Sequence, residues 1–187
     1  MTEIPGEDIP GWFDFADLYD LMVEKAAPGD TMVEVGVFLG RSLVYLASIA
    51  EAKKLNIVAV DNFCGSGNNE DVSKVVREHG GSILNAFTEN LKRYGIYDRV
   101  TIYAGDSAGT AEGFRDGSFQ FVFVDADHSY EAVKKDIAAW LPKIKSGGYI
   151  GGHDYAEHSE GVKKAVDEIF GSNVKLVSNQ CWLVEVG

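Results

Sequence analysis

The sequence contains little cysteine and proline and no long hydrophobic run. Two cysteines, Cys64 and Cys181, among 187 residues argue against the disulfide framework of a small secreted protein. No stretch approaches the roughly 20 apolar residues that span a bilayer. Residues 1–5 lack the basic and apolar regions of a signal peptide. We therefore expect a cytoplasmic protein with no membrane partner.

Basic residues are also scarce relative to acidic ones. Lysine and arginine total 17 against 29 aspartates and glutamates, so the net charge is −12. This balance opposes the basic surface that binding to a phosphate backbone requires, and we expect no nucleic-acid partner. A solvated acidic surface explains most of the surplus carboxylates, although some of them could mark a metal site.

Strand-like apolar segments alternate with helix-like segments along the chain. The length fits one domain, and the alternation predicts a doubly wound α/β architecture. Seven strands are expected, and they cover residues 31–36, 56–61, 100–103, 120–125, 149–154, 174–177 and 182–186. The last two flank a short polar segment that suits an antiparallel hairpin. The prediction is therefore a mostly parallel seven-stranded sheet whose last strand is antiparallel.

The N-terminal residues 1–29 form a separate leader region in this interpretation, ahead of a main domain over residues 30–187. Leu18, Leu21 and Met22 follow helical spacing and predict a short leader helix. Residues 64–81 are the longest weakly patterned segment, with one amphipathic stretch at 72–76. A long segment of this kind is a candidate lid over a binding site.

Polar residues follow the predicted parallel strands. Gly36, Asp61, Asp106, Asp125 and Asp154 all fall at or just after strand ends. Because ligands of such sheets bind at the carboxyl ends of the strands, these positions predict one shared site.

The turn from Glu34 to Ser42 contains Gly36 and Gly40, where a chain can pass close to a ligand and then begin a helix. It lacks the G-x-G-x-x-G pattern of dinucleotide-binding proteins, which argues against a nicotinamide-dependent oxidoreductase. A tight turn without a ligand is the alternative interpretation. Asp61 ends the second strand, where its carboxylate could accept hydrogen bonds from both hydroxyls of a ribose.

The chain resembles the class I S-adenosylmethionine-dependent methyltransferases, and among them the small metal-dependent O-methyltransferases. Residues 34–42 are similar to the first cofactor-binding motif of catechol and caffeoyl-CoA O-methyltransferases, and residues 124–127 to their fourth-strand motif. Residues 147–155 resemble the fifth-strand segment of bacterial relatives that act on sugars and antibiotic scaffolds. The resemblance covers nearly everything after residue 28, and it implies a Rossmann-like methyltransferase fold.

The resemblance also implies which residues hold S-adenosylmethionine. Glu34 and Gly36 would hold its methionine end, Asp61 its ribose, and Asp106 with Ser107 its adenine. The full set of expected cofactor-binding residues is Glu34, Gly36, Phe38, Gly40, Ser42, Asp61, Asn62, Phe63, Gly105, Asp106, Ser107 and Asp125.

In the related metal-dependent enzymes a magnesium ion lies at positions that match Asp125, His153 and Asp154. His153 departs from that pattern, because the position usually carries a carboxylate and imidazole is a less natural magnesium ligand. Mg²⁺, a softer divalent cation and no metal at all therefore remain alternatives. Asp125 and Asp127 could instead cap the helix that follows them.

His128 matches the position of a catalytic base in the related enzymes, and together with Asp125 it is the expected catalytic residue. An ordinary histidine pKa of about 6.5 suits proton removal at neutral pH. A surface role at a helix start is the alternative. His158 could line the substrate entrance and His79 lies in the candidate lid, where a solvated role is favoured for both.

The expected reaction is methylation of a small hydroxylated acceptor such as a sugar, a diol or a phenol. Trp12, Phe13, Phe63 and Tyr155 could form the wall of the acceptor pocket, although core packing is the more common role of such residues. A non-catalytic S-adenosylmethionine-binding module and a metal-dependent hydrolase that uses Asp125, His153 and Asp154 are the rival functions. The sequence leaves the oligomeric state open, a homo-oligomer included.

Overall fold

A computed structural model describes residues 4–66, 69–156 and 159–187. The helices in these ranges are α1 (Ala16–Lys25), α2 (Arg41–Ala50), α3 (Glu70–Glu78), α4 (Leu84–Arg93), α5 (Ser107–Ala111), α6 (Tyr130–Trp140) and α7 (Glu160–Phe170). The strands are β1 (Thr31–Val35), β2 (Asn56–Asp61), β3 (Val100–Ala104), β4 (Phe119–Val124), β5 (Ile144–Gly152), β6 (Lys175–Leu176) and β7 (Trp182–Glu185). Short 3₁₀ turns follow α2, α6 and α7, and another precedes β3.

The strands form one sheet in the order β3-β2-β1-β4-β5-β7-β6. Neighbours from β3 to β5 are parallel, whereas β7 pairs antiparallel with both β5 and β6. The predicted doubly wound, mostly parallel seven-stranded sheet with an antiparallel last strand is thus confirmed. The strand order reverses between β1 and β4, and ligands of open α/β sheets bind at such a reversal.

Two hydrophobic layers cover the sheet because successive strand side chains point to opposite faces. Met32 of β1 packs in the layer formed with α1, α2 and α4, and the adjacent Val33 packs in the layer formed with α6 and α7. All six residues of β4 are buried. This explains why its sequence is continuously apolar rather than alternating.

The N-terminal helix is part of this core. Leu18 and Met22 of α1 are fully buried in the same layer as α2. In the part of the chain that the structure describes, no helix is long and apolar enough to cross a membrane.

One strand boundary differs from the sequence expectation. Strand β5 begins at Ile144 rather than 149, since Gly148 lets the chain pass close to β4: a Cβ there would lie 2.9 Å from the carbonyl oxygen of Gln120. The candidate lid contains α3, whose Val76 is buried against the core. Residues 67 and 68 of that segment lie outside the described residues.

Candidate active site

A pocket of about 550 Å³ lies at the carboxyl ends of the central strands. This volume is in the usual range for small-molecule sites, roughly 300 to 1,000 Å³. Ten of the twelve predicted cofactor-binding residues line it: Glu34, Gly36, Phe38, Ser42, Asp61, Asn62, Gly105, Asp106, Ser107 and Asp125. The other two, Gly40 and Phe63, are buried. The ring of Phe63 packs against that of Phe87, and a Cβ added at Gly40 would lie 3.0 Å from the same ring.

The glycine turn brings the ends of β1 and β4 into close approach. Gly36 has a φ of +86°, and a Cβ at this position would lie 2.0 Å from the carbonyl oxygen of Asp125. Only glycine fits such a backbone without displacement of its neighbour. Phe38 also has a positive φ, +47°, a conformation that costs a non-glycine residue about 1 to 2 kcal/mol.

The carboxylate of Asp61 holds the backbone of this turn in place. Its Oδ2 accepts hydrogen bonds from the backbone amides of Val37 (2.9 Å) and Phe38 (3.0 Å), and its Oδ1 accepts from the amide of Phe63 (2.7 Å). Burial raises the pKa of Asp61, and the three amides counteract that effect. The carboxylate therefore orients the pocket backbone, and because three of its roughly four acceptor positions are used by these amides, about one remains for a ribose hydroxyl.

Glu34 is the buried carboxyl group of the pocket, with 2% of its surface exposed. Its Oε2 accepts a hydrogen bond from Tyr19 (2.7 Å) and its Oε1 accepts one from Ser42 (2.5 Å). Burial raises the pKa of Glu34 to about 7, although both hydrogen bonds lower it. A cationic ligand group beside it would favour its ionised form.

The region expected to bind adenine contains two charged residues that the sequence analysis missed. Lys135 lies 3.2 Å from the carboxylate of Asp106, and both line the pocket. Asp136, one position along α6, is buried, and burial raises its pKa to about 6. Trp140 donates a 2.9 Å hydrogen bond to Ser107 and so fixes its hydroxyl. Lys135 and Asp136 lie about two helical turns after His128, so helical periodicity could have indicated that they share a face with it.

Asp125, His128 and Asp154 meet at the ends of β4 and β5. Nε2 of His128 lies 3.3 Å from a carboxylate oxygen of Asp125 and 3.3 Å from one of Asp154. The hydrogen bond to Asp125 raises the pKa of His128, against burial, which lowers it. One potential ligand atom from each residue lies within 4.8 Å of the others. Two carboxylates and an imidazole suit a divalent cation.

His153 lies beside one member of this group, Asp154. Its Nε2 lies 3.0 Å from Asp14 and its Nδ1 lies 3.3 Å from Asp154. Burial would lower the pKa of His153, but its carboxylate neighbours, Asp154 foremost, raise it to about 9. Among the expected metal ligands the structure therefore brings Asp125 and Asp154 together, and it places His128 rather than His153 beside both.

The local backbone helps to position Asp154 and Asp127 at the site. Asp154 has a φ of +59°, a left-handed conformation that aspartate and asparagine tolerate better than most residues. Asp127 lines the pocket, and its carboxylate accepts a 2.8 Å hydrogen bond from the amide of Ser129 just before α6. Asp127 therefore forms a turn just before α6, whose N-cap residue is Ser129, rather than the helix cap that was the alternative interpretation.

Of the aromatic residues proposed for the acceptor wall, Trp12 lines the pocket and is 59% exposed. Phe63 is buried in the core, and Phe13 is partly buried against the same core. The hydroxyl of Tyr155 donates to Asp167. His79 is exposed at the end of α3, and His158 lies outside the described residues.

A family model described as "Methyltransferase domain" matches residues 33–155 of the chain. This stretch begins in β1 and ends just after β5, so it contains the glycine turn, Asp61 and the Asp125–His128 segment. The match thus covers the pocket and the cluster beside it.

Comparison with other proteins finds a curated relative and solved structures of similar fold. The chain is 28% identical over 144 residues to "Uncharacterized protein R132" of Acanthamoeba polyphaga mimivirus, which corresponds to 74% of the chain and 58% of that protein. The chain therefore spans less than two thirds of this relative. Among solved structures, the O-methyltransferase NovP matches with a TM-score of 0.73 at 20% identity over 98% of this chain and 86% of its own. The calicheamicin methyltransferase CalS11 matches with a TM-score of 0.68 at 18% identity, covering 92% and 77%.

Proposed function

This chain belongs to the methyltransferase-domain family, and we propose that it transfers the methyl group of S-adenosylmethionine to a hydroxyl oxygen of a small acceptor. One observation carries the proposal. A single pocket is lined by the Glu34–Ser42 turn, by Asp61 and Asp106, and also by Asp125 and His128, which can act on an acceptor.

The residues of the pocket fit the cofactor in size and chemistry. The buried carboxyl of Glu34 matches an α-ammonium group, and the acceptor position that Asp61 retains matches a ribose hydroxyl. When bound, S-adenosylmethionine supplies an electrophilic methyl group on a sulfonium. The chain has to orient the two reactants, because alignment of the attacking oxygen with that methyl group provides much of the rate.

His128 is the proposed proton acceptor. Its ring lies at the rim of the pocket and is 38% exposed, so a hydroxyl group can approach it. Asp125 and Asp154 flank Nε2 and stabilise the imidazolium that forms when the proton arrives.

The same two carboxylates are the proposed ligands of a divalent cation such as Mg²⁺. Their oxygens are the ligands that a hard cation prefers, and a bound cation would polarise the acceptor oxygen. Nε2 of His128 cannot ligate the cation and accept a proton at the same time, since it has one lone pair. We assign the proton to His128 and the cation to Asp125 and Asp154.

The pocket and two structural neighbours support the proposed class of acceptor. NovP is named an O-methyltransferase and CalS11 a calicheamicin methyltransferase. The exposed ring of Trp12 at the pocket offers an apolar surface for a sugar or aryl ring. The net charge of −12 disfavours nucleic acid as the acceptor. Two free cysteines fit the reducing conditions of the cytoplasm, where we place the reaction.

Transfer of labelled methyl from S-adenosylmethionine to a panel of catechols, phenols and sugar nucleotides, with and without Mg²⁺, tests the proposal. We expect label on an acceptor oxygen, a rate that depends on Mg²⁺, and loss of the rate in His128→Asn. Tight cofactor binding without transfer in His128→Asn and wild type alike would favour the non-catalytic module. Hydrolysis of a substrate without the cofactor would favour the metal-dependent hydrolase.

A further inference from the structure

Arg41 is a pocket residue that the proposed reaction leaves without a role. It begins helix α2, directly after the glycine turn, and its side chain lines the pocket. Its Nη1 donates a 2.6 Å hydrogen bond to the carbonyl oxygen of Gly11. Its Nε is buried and has no hydrogen-bond partner within the described ranges. The guanidinium therefore has donor capacity that the described protein groups do not use.

The charge of Arg41 is equally unmatched. Six carboxyl side chains line the pocket: Glu34, Asp61, Asp106, Asp125, Asp127 and Asp136. Lys135, the other permanently cationic residue of the lining, lies 3.2 Å from Asp106. Arg41 makes no ion pair with any residue in the described part of the chain. A cation held this way in an acidic pocket suits an anionic ligand group.

The position of Arg41 identifies that anionic group. The next residue, Ser42, donates a hydrogen bond to Glu34, so Arg41 lies at the end of the pocket that holds the buried carboxyl. S-adenosylmethionine has a single anionic group, its α-carboxylate, and the α-ammonium group is attached to the same carbon. In a pocket with six acidic side chains, a nearby cation favours the binding of an ionised carboxylate.

We infer that Arg41 binds the α-carboxylate of S-adenosylmethionine, an inference that rests on the proposed function. Arg41 then selects cofactors that carry an intact amino-acid end. Its bond to Gly11 also links the N-terminal segment to the bound carboxylate, because one guanidinium contacts both.

The test compares two ligands that differ only in the carboxylate: S-adenosylhomocysteine and its decarboxylated analogue, which keeps the amine. Calorimetry of the wild-type protein is expected to give a roughly 10- to 100-fold preference for the intact ligand, the range for hydrogen bonds to a charged group. Arg41→Gln keeps a donor for Gly11 but removes the charge, and should abolish most of the preference. Arg41→Lys keeps the charge and should retain part of it.

Lys135→Met is the matched control, because it removes a pocket cation that contacts Asp106 instead. It should weaken both ligands by a similar factor and leave the preference intact. Equal affinity of the wild-type protein for both ligands, or an unchanged preference in Arg41→Gln, would overturn the inference while the proposed function stands. Failure of the wild-type protein to bind either ligand would instead contradict the proposed function.

Discussion

Tyr19 donates a 2.7 Å hydrogen bond to Glu34, which lies 15 residues further along the chain. The bond connects the N-terminal helix to the carboxyl group at the base of the pocket, and both residues are buried. It helps to keep a carboxyl group inside the protein without a cationic partner, and it counteracts the burial that raises the pKa of Glu34 to about 7.

Glu34→Gln should therefore stabilise the protein and weaken cofactor binding. The folded state holds the Glu34 proton up to a pKa of about 7 against an ordinary value of 4.5, so stability present at low pH is lost as the pH rises between these values. At pH 8 the variant should be more stable than wild type by on the order of 2 kcal/mol, with no difference near pH 4. Urea unfolding at both pH values measures this.

The exposed substitution Glu112→Gln controls for the change in net charge. A variant at Glu34 that is less stable than wild type at pH 8, or that binds S-adenosylhomocysteine equally well, would refute the proposed role of Glu34.

His128→Asn should reduce the turnover number for methyl transfer by about 10²- to 10⁴-fold, the usual contribution of a general base. The affinity for S-adenosylhomocysteine should change little, because the ring lies at the acceptor side of the pocket. Steady-state kinetics and calorimetry measure the two effects separately. His79→Asn, at the exposed end of α3, is the control. Comparable turnover in His128→Asn and wild type would exclude His128 as the base.

Asp154→Asn should raise the magnesium concentration that gives half-maximal activity by at least roughly tenfold, since it replaces a charged cation ligand by a neutral one. Asparagine tolerates the left-handed backbone at this position, where φ is +59°, so the fold should persist. A magnesium titration of the rate measures the effect. Asp116→Asn, an exposed residue paired with Lys143, should behave as wild type. An unchanged magnesium dependence in Asp154→Asn would argue against the cation site.

Gly36→Ala should destabilise the protein by several kcal/mol and abolish cofactor binding. Its Cβ would lie 2.0 Å from the carbonyl oxygen of Asp125, so the ends of β1 and β4 would have to move apart. Gly29→Ala is a close match, because Gly29 has a φ of +84° but nothing within 4 Å of an added Cβ. It should cost only the backbone strain, about 1 to 2 kcal/mol. Equal melting temperatures of the two variants would contradict the account of the turn.

The sequence predicts the fold well where hydrophobic patterning decides the structure. The uninterrupted apolar runs before Asp61 and Asp125 predict central parallel strands, since both faces of such strands are covered. Sequence patterning fails where a close backbone contact decides the structure, as at Gly148. This residue belongs to a glycine pair, which is typical of a turn, but the pair lies inside β5.

Site residues are predictable when they follow a strand directly and unpredictable when another element brings them in. Asp61 and Asp125 belong to the first class. Tyr19 and Lys135 belong to the second, because they reach the pocket residues Glu34 and Asp106 from helices distant in sequence. Periodicity marks the buried face of a helix but does not say which strand end it contacts.

Calorimetric titration of S-adenosylhomocysteine into the wild-type protein, first with magnesium and then with a chelator, is the most direct test of whether the pocket binds S-adenosylmethionine. Of the ten pocket residues expected to bind the cofactor, nine lie in or just after β1, β2 and β3, and only Asp125 is also a proposed cation ligand. We therefore expect saturable one-to-one binding in both conditions. The absence of binding in both conditions would contradict the assignment of this pocket to S-adenosylmethionine and, with it, the proposed methyl transfer.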